Sequence, residues 1–298
     1  MMRRIVGVLV LAAMAGWPAA SGAWGMQVHR LITGLAIDGL PPALRSLYAT
    51  QRAFVIEHAV DPDLWRVVGL SGDLGPEDPN HFLDIDALGE PAPFAGVPRD
   101  WNAYVARYGA DKVEKFGRLP WRATEVYGKL VEAFKAMGRG TGYGADNVRY
   151  LSAIMAHYVE DAHQPLHAAE NYDGQLTNQR GVHSRFETEL PLRNWSRLTH
   201  PPVHTQPIGD IKTFIFSAVV DSNALVAPIL NADKRAAQNL KKDANDRLIY
   251  DDGYYAAMYA AVRPILQKRL ADSANGVASV LVAAWTDAGK PTESIRRP

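Results

Sequence analysis

The chain has 298 residues, of which 47% are hydrophobic and 21% are charged, a balance that suits one large globular domain or two smaller ones. Its 32 Lys and Arg residues equal its 32 Asp and Glu residues in number. The overall charge therefore gives no field that would draw the protein to DNA or to an anionic membrane, and charge alone identifies no partner.

Residues 1–23 predict an export signal. The basic residues Arg3 and Arg4 precede an apolar run over 5–16, and small residues end the segment at Ala23. Because the run is shorter than a membrane-spanning helix requires, we expect signal peptidase to cleave between Ala23 and Trp24. The mature protein is then secreted or periplasmic, and we expect no transmembrane segment after cleavage.

The mature chain, 24–298, predicts a single all-α domain. Apolar residues recur at three- and four-residue spacing in six segments, whereas the alternation that is typical of strands is scarce. The predicted helices cover 28–40, 121–137, 147–158, 211–226, 254–270 and 277–285.

Three long loops are predicted between these helices, because Pro and Gly cluster at 69–99, 171–181 and 192–209. Loops of this length in a compact domain are usually functional or disordered. Histidines stand beside their ends, so we expect the loops to converge on a polar site. The chain has no cysteine, and a zinc site would therefore use imidazoles, carboxylates or backbone groups.

The densest candidate metal motif is the segment HYVEDAHQPLH, which runs from His157 to His167. His157 and Asp161 are four residues apart on a predicted helix, which places them on one face about 6 Å apart. Pro165 ends that helix and allows His167 to turn back towards them. An acid and two histidines in this arrangement favour a metal site over a single buried core histidine.

A second pair, His183 and Glu187, has the same four-residue spacing in the segment GVHSRFE. Taken alone, this pair fits a surface ion pair on a helix equally well. Its proximity in sequence to the first motif favours a second set of ligands. Further upstream, single candidate ligands occur at Trp24, His29, Asp63 and His81.

In their order and spacing, these motifs resemble the superfamily of zinc-dependent bacterial phospholipases C and type I single-strand-specific nucleases. Members begin with a processed Trp whose amine and carbonyl bind zinc. A His, an Asp, a second His, a His-x3-Asp-x5-His segment and a final His-x3-Asp/Glu pair follow. The resemblance covers most of the mature chain, and each of these elements is present in the same order.

The resemblance implies about three zinc ions, with Asp161 bridging two of them. The implied ligands are Asp63, His81, His157 and Asp161 for one ion, His167, His183 and Glu187 for a second, and Trp24, His29 and Asp161 for a third. Asp63 would also orient or deprotonate the attacking water. Asp61 remains an alternative to Asp63, since Ala59-Val-Asp61 looks like the phospholipase pattern, whereas the spacing from Asp63 to Arg66 looks like the nuclease pattern.

Clustered zinc ions activate water, hold phosphate oxygens and neutralise a leaving alkoxide, so the implied reaction is hydrolysis of a phosphoester bond. Arg30, Arg66 and Arg185 each stand beside a proposed ligand and are candidates for a phosphate clamp, although solvent-facing ion pairs explain them as well.

Two substrate classes remain open. A phospholipid is favoured by Glu187 as the final ligand, by the short segment between His167 and His183, and by the absence of cysteine. Single-stranded nucleic acid is the alternative, for which Trp65, Phe82 or Tyr172 would supply a stacking surface. A third hypothesis is a secreted binding protein that metal merely stabilises. No feature implies a protein partner.

Overall fold

The computed structural model describes residues 24–72 and 74–292, so the predicted signal peptide and its cleavage lie outside the described residues. The described part is one mostly helical domain, as the sequence predicts. Its α-helices are α1 (Met26–Asp38), α2 (Pro42–Tyr48), α3 (Arg52–His58), α4 (Asp61–Val67), α5 (Trp101–Tyr108), α6 (Ala110–Phe116), α7 (Leu119–Gly138), α8 (Gly144–Ala162), α9 (Val182–Ser184), α10 (Leu190–Asn194), α11 (Ile211–Asn223), α12 (Val226–Ala236) and α13 (Asp252–Asp287).

Shorter elements connect these helices. Two-residue strands, β1 (Ser71–Gly72) and β2 (Gly75–Pro76), pair antiparallel, with Ser71 opposite Pro76. A π-helical turn covers Arg185–Glu189. Turns of 3₁₀ helix cover Ala49–Gln51, Asp78–Asn80, Ile85–Leu88, Pro165–Ala168 and Trp195–Arg197.

All six predicted helices are present, but the last two are parts of one helix, α13, which has 36 residues. Gly276 lies at the join. It allows a close approach, because a Cβ atom there would lie 2.8 Å from Cε1 of His163, the residue after α8. The small residue therefore serves packing between helices and does not end the helix.

Helix α8 is the centre of the fold and packs against α7, α13, α3, α1 and α11. Its residues 152–162 are all buried, and most of them are apolar; the buried polar exceptions are Ser152, His157, Glu160 and Asp161. The helix ends at Ala162, and Gln164 is extended because it precedes Pro165. The following 3₁₀ turn carries His167 back towards the C-terminal end of α8.

Two apolar clusters flank this region. Val28 and Ile32 of α1 pack in a cluster with α12 and the first half of α13. Ile154 and Val159 of α8 pack in a second cluster with α7, α11 and the end of α13. The polar side chains of α1 and α8 face each other where these clusters meet.

Among the described residues, the stretch Ile211–Ala236 is long and apolar enough to cross a membrane by length and composition. It comprises α11 and α12, which Ala224 and Leu225 separate. About 39% of the tested window is buried inside the protein. The expectation of no membrane span after the signal stays a prediction.

The segment that carries His81 is held by backbone hydrogen bonds to distant parts of the chain. Leu83 donates to the carbonyl of His167 at 2.9 Å, and Leu119 donates to the carbonyl of Phe82 at 3.1 Å. Gly117 has φ +86° and passes against this segment, so that a Cβ atom there would lie 2.1 Å from the Phe82 carbonyl oxygen. Only glycine fits this position without displacing the chain beside His81.

We predict that Gly117→Ala lowers the unfolding free energy by roughly 2 kcal/mol or more, through a left-handed backbone and a clash with the Phe82 carbonyl. Gly128→Ala is the matched control. Gly128 lies inside α7 with open space around its Cα, so alanine there should stabilise the helix by roughly 0.5–1 kcal/mol. Urea unfolding of both variants measures the contrast, and equal effects would contradict this account of Gly117.

Candidate metal centre

Three groups of buried side chains could each hold a metal ion, and within each group the ligand atoms lie within 4.8 Å of one another. Every candidate ligand predicted from the sequence, except Trp24 with its backbone groups, belongs to one of them. The groups are His29 with His157 and Asp161, Asp63 with His81 and His157, and His167 with His183 and Glu187.

Asp161 connects the three groups. Its Oδ2 lies 3.1 Å from His81 Nδ1 and 3.2 Å from His157 Nε2. Its Oδ1 lies 3.6 Å from both His29 Nε2 and His167 Nδ1. A carboxylate that reaches four imidazoles from the centre of the cluster has the geometry that a bridging ligand requires.

His157 is shared more widely than the sequence implied. Its Nε2 lies 3.0 Å from His81 Nδ1, and its ring stacks on that of His29 with centroids 4.2 Å apart. The helical spacing of His157 and Asp161 was predicted correctly, since both project from one face of α8. The neighbours that they meet come from α1 and the loop before α5.

The remaining group lies on the turn after α8 and on α9. His183 Nε2 lies 2.8 Å from Glu187 Oε2 and 3.1 Å from His167 Nε2. The π-helical turn that begins at Arg185 carries Glu187 round to this side. Gln164 contacts the same group, because its Nε2 donates to Glu187 Oε2 at 3.0 Å.

Backbone carbonyls orient two of the rings. His157 Nδ1 is 2.8 Å from the carbonyl oxygen of Ala59, and His167 Nδ1 is 2.7 Å from that of His81. A ring that donates through Nδ1–H presents a lone pair on Nε2, which is the atom directed at the other ligands.

Several buried atoms without a hydrogen-bond partner indicate that the site can hold a cation. His29 Nε2, both Oδ atoms of Asp63 and Oδ1 of Asp161 are buried without a hydrogen-bond partner. Buried polar atoms of this kind are costly and rare in folded proteins. A bound cation would satisfy them, and imidazole with carboxylate ligands suits zinc and related transition metals.

Burial also shifts the pKa values of the candidate ligands. It lowers the pKa of His183 to about 4 and that of His29 well below its usual value, so both rings are neutral at neutral pH and able to bind metal. Burial raises the pKa of Asp63 to about 6 and that of Asp161 well above its usual value. A bound cation favours the ionised carboxylates and so opposes this cost.

The structure places Asp63, and not Asp61, among the candidate ligands. Asp61 Oδ2 instead lies 2.8 Å from His58 Nδ1 and accepts a hydrogen bond from Tyr150 at 3.0 Å. Both acids begin α4, but they lie on different sides of it. His58, which the sequence left without a role, therefore helps to fix the start of the helix that carries Asp63.

Three further histidines, His163, His200 and His204, lie away from the cluster. His163 Nδ1 lies 2.7 Å from the carbonyl oxygen of Val159, and its ring packs near Phe214. His200 rests on the ring of Trp195, and His204 is exposed.

Of the three candidate arginines, only Arg66 remains available to a substrate. Its Nη2 lies 3.2 Å from Asp63 Oδ1, and its side chain lines the cleft described below. Arg30 pairs with Glu57 at 2.9 Å, and Arg185 is buried against Asp233 at 2.9 Å. The latter two arginines are structural.

Trp24 is fully buried beside the cluster. Its indole Nε1 donates to the carbonyl oxygen of Glu160 at 3.0 Å, and its ring lies 6.0 Å from that of Phe186. These contacts hold the start of the described chain next to His29 on α1. Its role as a metal ligand stays a prediction.

A cleft of about 810 Å³ opens beside the cluster and is lined by His81, His167 and His183. Of the three aromatic residues considered for base stacking, Phe82 and Tyr172 line this cleft. Trp65 instead packs against the apolar core. Five acidic side chains also line it: Asp78, Asp84, Asp111, Glu114 and Glu170.

Three buried residues beside the candidate ligands were missed in the sequence, and one of them is Glu77, whose Oε1 lies 3.6 Å from His81 Nε2. Glu160 contacts His29 Nδ1, and Gln164 contacts Glu187 and His183. A signal was present for Glu160, since an acid inside an otherwise apolar helix requires a buried partner. That partner, on α1, was not recognisable from spacing along the chain.

No family model matches the chain. A curated relative, a probable serine protease of Bradyrhizobium tropiciagri, is 28% identical over 214 residues, which cover 54% of this chain and 26% of that protein. The chain thus spans about a quarter of the relative's length. Among the described residues, no histidine ring is hydrogen-bonded to a serine hydroxyl, the contact on which a serine nucleophile depends.

Asp84 yields a prediction about pH. It is buried at the cleft, its Oδ1 has no hydrogen-bond partner, and burial raises its pKa from 3.8 to about 8, with Asp86 and Glu170 adding to the shift. Between these values the folded chain retains a proton that the unfolded chain releases. This group therefore stabilises the fold at low pH and contributes progressively less as the pH rises towards 8.

Asp84→Asn cannot titrate, so we predict that its unfolding free energy increases relative to that of the native chain between pH 5 and pH 8, by on the order of 1–3 kcal/mol. Urea unfolding at both pH values, with the metal content held equal, measures the difference. A constant difference between the two proteins would contradict the raised pKa.

Proposed function

We propose that the protein is an exported zinc-dependent phosphoesterase that hydrolyses phosphodiester bonds, of the phospholipase C type. The observation that carries this proposal is the convergence of three buried ligand groups on Asp161, next to an open cleft. Metals a few ångströms apart are typical of phosphoester hydrolysis, in which both attacking and leaving oxygens need stabilisation.

The ligand set supports catalysis over a purely structural role. Structural zinc sites are usually closed by four Cys or His side chains, whereas catalytic sites leave a position for water or substrate. Here carboxylates contribute to all three groups, and His81, His167 and His183 line the cleft. A substrate that enters the cleft therefore meets the ligand groups directly.

Zinc ions held by these residues would supply an activated water and would neutralise charge on the phosphate. The protein itself contributes positioning. Asp63 presents two carboxylate oxygens without hydrogen bonds, so one could bind zinc while the other orients or deprotonates the attacking water. Arg66, beside Asp63 and on the cleft wall, is placed to hold a phosphate oxygen.

The charges of the cleft support a phospholipid substrate. Four carboxylates line it in addition to Asp84, whose raised pKa keeps it mostly neutral, against two basic residues, Arg66 and Lys115. Such a lining disfavours a polyanionic strand, whose recognition usually depends on basic side chains along the backbone. It suits a phosphodiester that carries a cationic group, such as a choline or ethanolamine headgroup.

Exposed apolar side chains, one in the cleft and three in the segment next to a cleft residue, support the same substrate class. Val67, Val68 and Leu70 are exposed in the segment that follows Arg66, and Val68 is 70% exposed. Leu176, which lines the cleft, is 64% exposed. Exposed apolar groups around a binding site indicate contact with an apolar partner, here the acyl region of a lipid aggregate.

A nuclease or nucleotidase is the second candidate. Phe82 directly follows the candidate ligand His81, and Phe82 and Tyr172 both line the cleft. Aromatic side chains in the cleft beside a phosphate-binding centre can stack against a nucleotide base. The relative's name adds a protease as a further activity to assay, although the cluster described here lacks a serine nucleophile.

The ligand assignment predicts that substitutions inside the cluster reduce zinc content and activity far more than a substitution outside it. We expect His157→Ala or Asp161→Asn to release zinc and to reduce phosphodiesterase activity by more than about 100-fold, because residues that only orient a ligand already contribute 10–100-fold. The control is His204→Ala, since His204 is exposed and away from the cluster. Elemental analysis and rate measurements on the three variants test this. Equal zinc content in all three would exclude the proposed centre.

The substrate assignment is tested by comparing phosphatidylcholine vesicles with single-stranded DNA as substrates of the zinc-loaded mature protein. We expect diacylglycerol release and little DNA cleavage. Strong DNA cleavage without diacylglycerol release would establish the nuclease instead. A protein that binds zinc but leaves every phosphoester intact would favour the metal-stabilised binding protein. The Asp161→Asn protein, prepared in parallel, controls for contaminating enzymes.

A further inference from the structure

Glu160 is a fully buried acidic residue of α8 that the proposed reaction does not use. It lies between His157 and Asp161 in sequence but projects towards α1. We propose that Glu160 is a positioning residue that sets the metal affinity of the group around His29 by acting on His29, which the other two groups do not contain. The inference rests on the metal centre of the proposed function.

The contacts of Glu160 all reach the N-terminal segment. Oε2 pairs with His29 Nδ1, and Oε1 accepts a hydrogen bond from the Thr33 hydroxyl at 2.7 Å. The backbone carbonyl of the same residue accepts from the Trp24 indole at 3.0 Å. One residue of α8 therefore holds three side chains of the segment that contains both N-terminal candidate ligands.

The pairing with His29 determines which nitrogen faces the centre. With Nδ1 engaged by Glu160, Nε2 is directed at Asp161 Oδ1, 3.6 Å away, and has no hydrogen-bond partner of its own. A carboxylate behind a ligand histidine fixes the ring orientation and increases the basicity of the nitrogen that binds metal. Replacing this carboxylate by an amide should therefore weaken metal binding even where the ring stays in place.

The other groups are oriented differently, which makes the effect selective. Backbone carbonyls hold His157 and His167, and the Gln164 amide holds Glu187. Glu77 Oε1 lies 3.6 Å from His81 Nε2, beyond hydrogen-bond distance, so among the described ligand rings the His29 ring is the one hydrogen-bonded to a carboxylate outside the ligand set. Loss of the Glu160 carboxylate should consequently affect one ion and leave the remaining ions bound.

The experiment uses Glu160→Gln in the mature protein, which preserves the size of the side chain and an oxygen able to accept from His29. We expect the native protein to bind about three zinc ions and the variant to retain about two, with the affinity for the remaining ion reduced roughly 10–100-fold. Zinc is counted by elemental analysis after dialysis against a zinc buffer, and the affinities come from competition with a chelator.

Two controls separate positioning from general stability. Thr33→Val removes the second contact of Glu160 but leaves the pairing with His29, so the zinc count should not change. Glu57→Gln neutralises an exposed acid that pairs with Arg30 and should have no effect on zinc. If Glu160 served only to dock α1 on α8, Glu160→Gln and Thr33→Val would lower the unfolding temperature in EDTA alike, with zinc affinity unchanged.

A double variant keeps the inference testable if a single change perturbs the fold. His29→Gln should by itself remove the same ion, and adding Glu160→Gln should then cause no further loss. An additional loss of zinc would show that Glu160 acts elsewhere and would overturn the inference. A native protein that binds no zinc would instead refute the proposed function, whereas equal zinc affinity of native and Glu160→Gln proteins would refute this inference alone.

Discussion

The structure depends on the burial of Asp161 at the end of a helix that is otherwise packed in apolar surroundings. Its carboxylate is completely buried, with four imidazoles around it, and its Oδ1 accepts no hydrogen bond. Removing a charge of this kind from water is unfavourable by several kcal/mol unless an opposite charge compensates for it. A divalent cation bound by the surrounding rings would supply that charge and would couple completion of the fold to formation of the proposed site.

The elements around α8 are arranged so that each contributes one side of this cluster. Helix α1 supplies His29, α4 supplies Asp63, and the segment tied to Gly117 supplies His81. The turn after α8 and the π-helical turn beyond it supply the third group. Since these parts are far apart in sequence, the ligand groups come together only when the two apolar clusters have packed. The cleft is lined in large part by the connecting segments 76–84 and 166–176.

Much of this was predictable because helical spacing is a local property. The pairs His157 with Asp161 and His183 with Glu187 are four residues apart, and the fold class followed from apolar periodicity. Other features could not be predicted from the sequence. The choice between Asp61 and Asp63 depends on which side of α4 faces α8, and the role of Glu160 depends on the position of α1. The fusion of two predicted helices into α13 depends on the close approach of Gly276 to His163.

The sequence by itself determined an all-α domain, the types of side chain available to a metal and their local pairing along helices. The tertiary structure decided which of those side chains meet, that Asp161 lies at their centre, and that Arg185 is a structural residue paired with Asp233 while Arg66 reaches the cleft. The physical reason is that the spacing between two residues of a helix fixes only the directions of their side chains around the axis of that helix. Distances between groups on different helices arise from packing, which depends on the volume and burial of many residues together.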